Sequence, residues 1–140
     1  MVLISFLTSA ADRLRTPALQ AAVRQTTDDL RNVAGSWAEV RARAENDVAG
    51  KLTPAQRRLV KTFERDSTKA AAEAEQGLVA IDNDRTLMEV VIHTLRAELS
   101  GVRQLKKACP AEASALDGIL QRLAEHIRRL DDALAKAPGP

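Results

Sequence analysis

Apolar and small side chains recur along most of this chain at alternating steps of three and four residues. Between Pro17 and Gly50 these positions are Leu19, Val23, Thr26, Leu30, Val33, Trp37, Val40 and Ala44. Side chains with this spacing lie on one face of an α-helix and form a seam along which long helices pack. The pattern therefore predicts an all-α protein built from long amphipathic helices.

Prolines indicate where the helices begin, because proline fits the first helical turn and breaks a helix interior. Thr16-Pro17 and Thr53-Pro54 each place a threonine at the N-cap, and Gln56 has the spacing of a capping box with Thr53. Cys109-Pro110 marks a further boundary. The predicted long helices cover about residues 17–49, 54–82, 85–108 and 110–136, and residues 138–140 form a tail.

The polar segment 82–86 decides between two architectures. Asp82, Asn83 and Asp84 favour a turn, and Thr86 has capping-box spacing with Glu89. A turn here predicts an antiparallel bundle of four long helices. The alternative is three helices with a central rod of about 55 residues over 54–108, ~80 Å long by helical rise, which would leave apolar surface exposed.

The N-terminal segment 1–15 reads as a short amphipathic helix ahead of the bundle. Its apolar positions are Val2, Leu3, Phe6, Leu7, Ala10, Ala11 and Leu14. Three placements follow from this pattern: the helix covers the apolar end of the bundle, docks into a partner's groove, or enters a membrane interface. The segment lacks the basic start of a signal peptide, which argues against secretion.

Composition points to an ordinary reducing compartment. The chain has one cysteine and a net charge of only +2, so neither a disulfide scaffold nor a strongly basic surface is expected. Aromatic residues make up 2% of the chain, so the core must consist of Leu, Val, Ile and Ala. We expect a cytoplasmic protein, and the frequent alanine and arginine suggest a bacterial or phage source.

No motif for catalysis, metal or cofactor binding is present, so the sequence predicts a protein that is not an enzyme. A di-iron bundle needs Glu-x-x-His steps, whereas Glu89 and His93 are four residues apart and His126 has Glu125 directly beside it. Both histidines are expected at exposed or boundary positions. Cys109 is interpreted as an unreactive thiol, although Lys106 and Lys107 nearby would favour a thiolate if it were exposed.

One stripe of basic residues is a candidate surface for binding nucleic acid. Arg57, Lys61, Arg65 and Lys69 are spaced by four residues, which suits contacts to phosphates. Acidic residues interrupt the stripe, and no aromatic residue accompanies it to stack on bases. The pattern favours a solvated outer face without a nucleic-acid partner.

The long seams favour a non-catalytic interaction or assembly protein that acts through helix–helix contacts, as a homo-oligomer or with a protein partner. A protein that binds a membrane or lipid surface and a ligand-binding four-helix bundle are the alternatives. The side chains expected to meet a partner are Leu3, Phe6, Leu7, Leu14, Trp37, Leu87 and Val91.

Overall fold

The computed structural model describes residues 3–47 and 49–137, and within them the chain forms five α-helices and no strand. The helices are α1 (Ile4–Arg13), α2 (Pro17–Glu45), α3 (Pro54–Gly77), α4 (Asp84–Ala108) and α5 (Ala113–Lys136). The predicted all-α bundle of four long helices, preceded by a short N-terminal helix, is confirmed.

Contacts between the long helices show that neighbours run antiparallel. Thr26 in the first half of α2 meets His126 in the second half of α5, and Arg43 at the end of α2 meets Glu112 just before α5. The same reversal relates α4 to α5, where Arg96 pairs with Asp131 and Lys106 with Asp117. In α3 and α4, Ser67 bonds Glu98 and Gln56 bonds the carbonyl of Ala108.

Helix α1 packs against the first half of α2 and the end of α3. Its apolar face is fully enclosed, with Phe6, Leu7 and Ala10 each 0% exposed. On its other side Ser5 and Ser9 donate hydrogen bonds to the Glu75 carboxylate of α3. The N-terminal helix is thus part of the bundle and covers its apolar interior, one of the three placements that its pattern allowed.

The chain turns between α3 and α4, so the continuous helix over 54–108 is wrong. A short 3₁₀ turn, Leu78–Ala80, follows α3. Asn83 then caps α4 by accepting a hydrogen bond from the Thr86 N–H at 2.8 Å. The cap is therefore Asn83 and not Thr86. Asp84 adds a tertiary restraint, because its carboxylate accepts the N–H groups of Arg15 and Thr16 ahead of α2.

The remaining helix ends differ from their predicted positions for local reasons. Helix α2 ends at Glu45, before the predicted residue 49, because the Asp47 carboxylate accepts the N–H groups of Lys51 and Leu52 and closes a turn. Gly50 adopts the positive φ of 64° that this turn needs. Helix α5 begins only after a 3₁₀ turn, Pro110–Glu112. The predicted tail 138–140 lies outside the described residues.

The capping box at the start of α3 is present as predicted. The Thr53 hydroxyl accepts the Gln56 N–H at 3.1 Å, and the Gln56 side chain accepts the Thr53 N–H at 2.8 Å. The Thr16 side chain accepts no such bond at the start of α2, and the Thr16 N–H itself donates to the Asp84 carboxylate at 2.6 Å. The two Thr-Pro pairs carry the same sequence signal, but the hydrogen bonds at the two helix N-termini differ.

Burial is uneven among the long helices. Helix α4 encloses eight residues, most of them large and apolar, whereas α3 encloses only Val60, Ser67 and Ala71. Since small side chains bring little apolar area out of water, α3 is held to the bundle more weakly than α4 or α5. In the described ranges no helix has the length and apolar character needed to cross a bilayer.

Candidate ligand-binding groove

A long groove with a volume of about 830 Å³ runs between α3 and α4. Its walls are chiefly the facing sides of these two helices, and Leu3 borders it from the N-terminal segment. On α3 the lining extends from Leu59 to Ala74, a distance of about 22 Å by helical rise. We refer to this cavity as the α3–α4 groove.

The groove is open because several of its lining residues are small. Ala70 and Ala74 of α3 and Ala97 and Gly101 of α4 are among them, and their small side chains leave space between the two helices. Gly101 also gives room to the ring of Phe63, since a Cβ at Gly101 would lie 2.7 Å from Phe63 Cε2. A larger residue at position 101 would have to displace that ring.

Phe63 joins the groove to the core of the bundle. Its ring packs edge-to-face on Trp37, with the centroids 4.9 Å apart and an interplanar angle of 63°. The Trp37 indole N–H in turn donates to Glu64. The lone tryptophan therefore anchors α2 to α3 and supports the wall of the groove from behind.

The groove has a buried acidic group in its lining. Glu98 of α4 is only 6% exposed, and both of its carboxylate oxygens lie 2.8 Å from the Ser67 hydroxyl of α3. Burial raises the pKa of Glu98, the hydrogen bond from Ser67 and the positive charge of the chain's N-terminus oppose this rise, and the negative charge of Glu64 adds to it. An apolar cavity that contains a few polar groups and a perturbed acid is the usual form of a small-molecule site.

The other ionisable side chains along the groove are mainly acidic. Asp66 and Glu73 of α3 and His93 of α4 line it together with Glu98. The predicted basic stripe is elsewhere: Lys61, Arg65 and Lys69 are exposed and do not border the groove, and neither does Arg57.

The structure encloses all of the side chains that the sequence predicts to meet a partner. Leu3, Phe6, Leu7, Leu14, Trp37, Leu87 and Val91 are each at most 4% exposed. Only Leu3 also borders the groove. The partner-binding role of these residues stays a prediction, and in this structure they form the core.

The expectation that both histidines are exposed or at a boundary is wrong for one of them. His93 is exposed, but His126 is 1% exposed, with Nδ1 3.2 Å from the Thr26 hydroxyl and Nε2 2.9 Å from an Asp29 carboxylate oxygen. The seam pattern placed Ile127 inward, and the antiparallel contact with α2 encloses its neighbour as well. Among the described residues, no group of three His, Cys, Asp or Glu side chains is placed to hold a metal ion.

Cys109 is enclosed at the turn between α4 and α5 and is 0% exposed. Burial raises the pKa of its thiol, and the negative charge of Glu112 raises it further. Glu112 itself is held by Arg43 at 2.7 Å. These surroundings oppose the thiolate form that a reactive cysteine needs.

No protein family matches the chain, and no curated protein or solved structure matches it significantly.

One signal in the sequence pointed to the groove. Ser67 occupies a seam position of α3 where a large apolar residue would normally pack, and small residues follow it at Ala70 and Ala74. A polar residue in a seam needs a partner from another helix. Glu98 is that partner, but it is 31 positions away along the chain, so the spacing within α3 alone does not identify it.

Proposed function

We propose that this protein is a non-catalytic ligand-binding helical bundle, and that the α3–α4 groove holds one elongated, mainly apolar organic molecule. The observation that carries the proposal is the groove itself. Its volume of about 830 Å³ lies within the range of roughly 300–1,000 Å³ typical of small-molecule sites. The lining combines apolar walls with a few polar groups that can orient a ligand.

A small molecule suits this surface better than a folded partner does. Stable protein interfaces bury on the order of 1,200 Å² or more and have an apolar centre. Outside the core of the described residues, the only large apolar side chains with substantial exposure are Leu59, at 45%, and Val79, at 74%, and of these only Leu59 borders the groove. Two separate exposed side chains do not form the apolar centre that such an interface needs.

The other functions expected from the sequence receive less support from this geometry. Assembly through the seams would use side chains that already pack within the chain, and membrane contact through α1 would use an apolar face that is enclosed. Both remain proposals, and each would require helices of the bundle to separate first.

A direct test uses a neutral fluorescent probe, N-phenyl-1-naphthylamine, whose emission rises in an apolar site. The wild-type chain is expected to bind the probe saturably. Ala70→Trp places a large ring into the groove from an exposed lining position, and it should weaken binding by about tenfold or more, because the probe and the indole cannot occupy the same volume.

Ala72→Trp is the matched control, since Ala72 is also exposed on α3 but does not line the groove. Circular dichroism would establish that both variants keep their helix content. The proposal fails if the wild type shows no saturable binding, or if the two tryptophan variants bind the probe as well as the wild type does.

A further inference from the structure

Resting on the proposed binding function, we infer that the preferred ligand is an organic cation, an apolar molecule with an ammonium group, and that the Glu98 carboxylate is its counter-ion. The inference concerns the chemical class of the ligand. It follows from how charge is distributed along the α3–α4 groove.

The charged side chains that line the described part of the groove are acidic. The chain has 21 lysine and arginine residues against 19 aspartate and glutamate residues, so composition alone would place both signs beside any surface. Among the described residues that line the groove, however, Asp66, Glu73 and Glu98 are acidic and none is lysine or arginine. A cavity lined by one sign of charge attracts ligands of the opposite sign and repels those of its own.

Glu98 is the acidic residue placed to decide between ligands. It is buried at 6% exposure, whereas Asp66 is exposed to solvent that screens its charge. Ser67 has one hydroxyl proton, so it can donate a hydrogen bond to only one of the two Glu98 carboxylate oxygens at a time. No lysine, arginine or histidine side chain in the described ranges forms an ion pair with Glu98, and although the positive charge of the chain's N-terminus lowers its pKa, the effect of burial is larger.

A bound ammonium would add to the Ser67 hydrogen bond and the N-terminal charge in compensating this buried carboxylate. The cost of keeping a charge buried is offset when an opposite charge comes close, and the attraction is stronger than in water because the surroundings are less polar. Phe63 lines the groove one helical turn before Ser67, and an aromatic ring there suits the methyl groups of a quaternary ammonium. A ligand carboxylate or sulfate would instead face three acidic side chains.

The test compares three probes that share a dodecyl chain and differ in headgroup: dodecyltrimethylammonium, dodecyl maltoside and dodecyl sulfate. Each is titrated below its micelle concentration against the full chain loaded with N-phenyl-1-naphthylamine, and displacement gives its affinity. The cation is expected to bind about tenfold or more tightly than the sulfate, with the uncharged maltoside between them.

Three variants assign the preference to Glu98. Glu98→Gln should reduce the affinity for the cation by about tenfold while the neutral dye binds as before, and Glu98→Asp should keep the preference because it keeps the charge. Glu89→Gln, an exposed and non-lining change on the same helix, should behave as the wild type. If Glu98→Gln fails to fold, the order of affinities that the wild type shows for the three headgroups still tests whether the groove prefers a cation.

Equal affinity for the three headgroups, or tighter binding of the sulfate, would overturn the cation inference. So would a Glu98→Gln variant that keeps the full preference for the cation. The proposed binding function is judged separately, because the neutral dye and the Ala70→Trp variant report on the groove independently of any ligand charge.

Discussion

His126 is a buried titratable group whose charged form the fold disfavours. Burial lowers the pKa of the imidazole, and the positive charge of Arg129 lowers it further, whereas the negative charges of Asp29 and Glu125 raise it. The net direction is downward. Although Nε2 lies 2.9 Å from the Asp29 carboxylate, the ring N–H is poorly aligned with that oxygen, so the contact compensates only partly for lost hydration.

The lowered pKa of His126 makes stability depend on pH with a definite sign. An unfolded histidine takes up a proton near pH 6.5, whereas the folded chain takes it up only at lower pH. The contribution of neutral His126 is therefore complete above about pH 6.5 and is lost as the pH falls toward the folded pKa. We expect the free energy of unfolding, measured by urea denaturation, to fall between pH 7 and pH 5, with His126 contributing at most about 1.4 kcal/mol per pH unit.

Replacement of His126 by glutamine should make this pH dependence shallower, because the side chain no longer titrates. His93→Gln, at an exposed position on α4, is the control and should retain the wild-type slope. An unchanged slope in His126→Gln would show that other groups produce the pH dependence.

At the scale of the helices, α1 is the element whose role the sequence left most open. In the structure it is part of the core, because Phe6 and Leu7 are fully enclosed and Gln20 of α2 donates to the Ala11 carbonyl near the end of α1. The Asp84 carboxylate of α4 also holds the N–H groups of Arg15 and Thr16 just after α1. These bonds fasten the N-terminal helix to two others.

Phe6→Ala is therefore expected to destabilise the whole bundle. Removing a fully buried phenylalanine typically costs about 3–5 kcal/mol, since apolar contacts are lost and a cavity remains. Urea denaturation followed by circular dichroism would measure the change, with Thr8→Ala on the exposed side of α1 as the control. A loss below about 1 kcal/mol would indicate that α1 detaches readily, as docking to a partner or membrane requires.

Helix α3 shows why a seam of small residues is ambiguous in sequence. Ala70, Ala71 and Ala74 continue the helical spacing and all three line the groove, yet only Ala71 is buried. Alanine permits close packing but does not require it. Whether such a stripe closes or stays open depends on how the larger residues at its ends hold the two helices apart.

For the molecule as a whole, the turn at residues 82–86 sets the overall dimensions. Helix α2, with 29 residues, is the longest in the structure, so we expect a maximum dimension of about 50 Å, instead of the ~80 Å of a continuous rod. The radius of gyration of a compact monomer of this size is about 15 Å. Small-angle X-ray scattering over a concentration series measures both quantities.

The same series tests assembly. If the chain acts as a monomeric binding protein, the scattering mass should stay that of one 15.2 kDa chain at every concentration. A mass that rises with concentration would favour the assembly function expected from the seams. It would also require a contact surface beyond the enclosed residues described above.

The sequence by itself determined the helices and several of their ends. Alternating steps of three and four residues specify amphipathic helices because each step keeps a side chain on the same face, and that relation is local. The capping box of Thr53 and Gln56 was predictable for the same reason, since its partners are three residues apart. The turn at Asn83 was favoured on composition, although the capping residue was misplaced.

Only the tertiary structure decided where the seams of neighbouring helices fail to pack together and which polar groups from different helices make contact. Ser67 and Glu98 are 31 residues apart, and Thr26 and His126 are 100 apart. Contacts at such separations depend on the relative rotation and shift of whole helices, which the hydrophobic effect constrains only weakly because it has no direction. The α3–α4 groove is a consequence of that placement, so the spacing of residues within either helix did not reveal it.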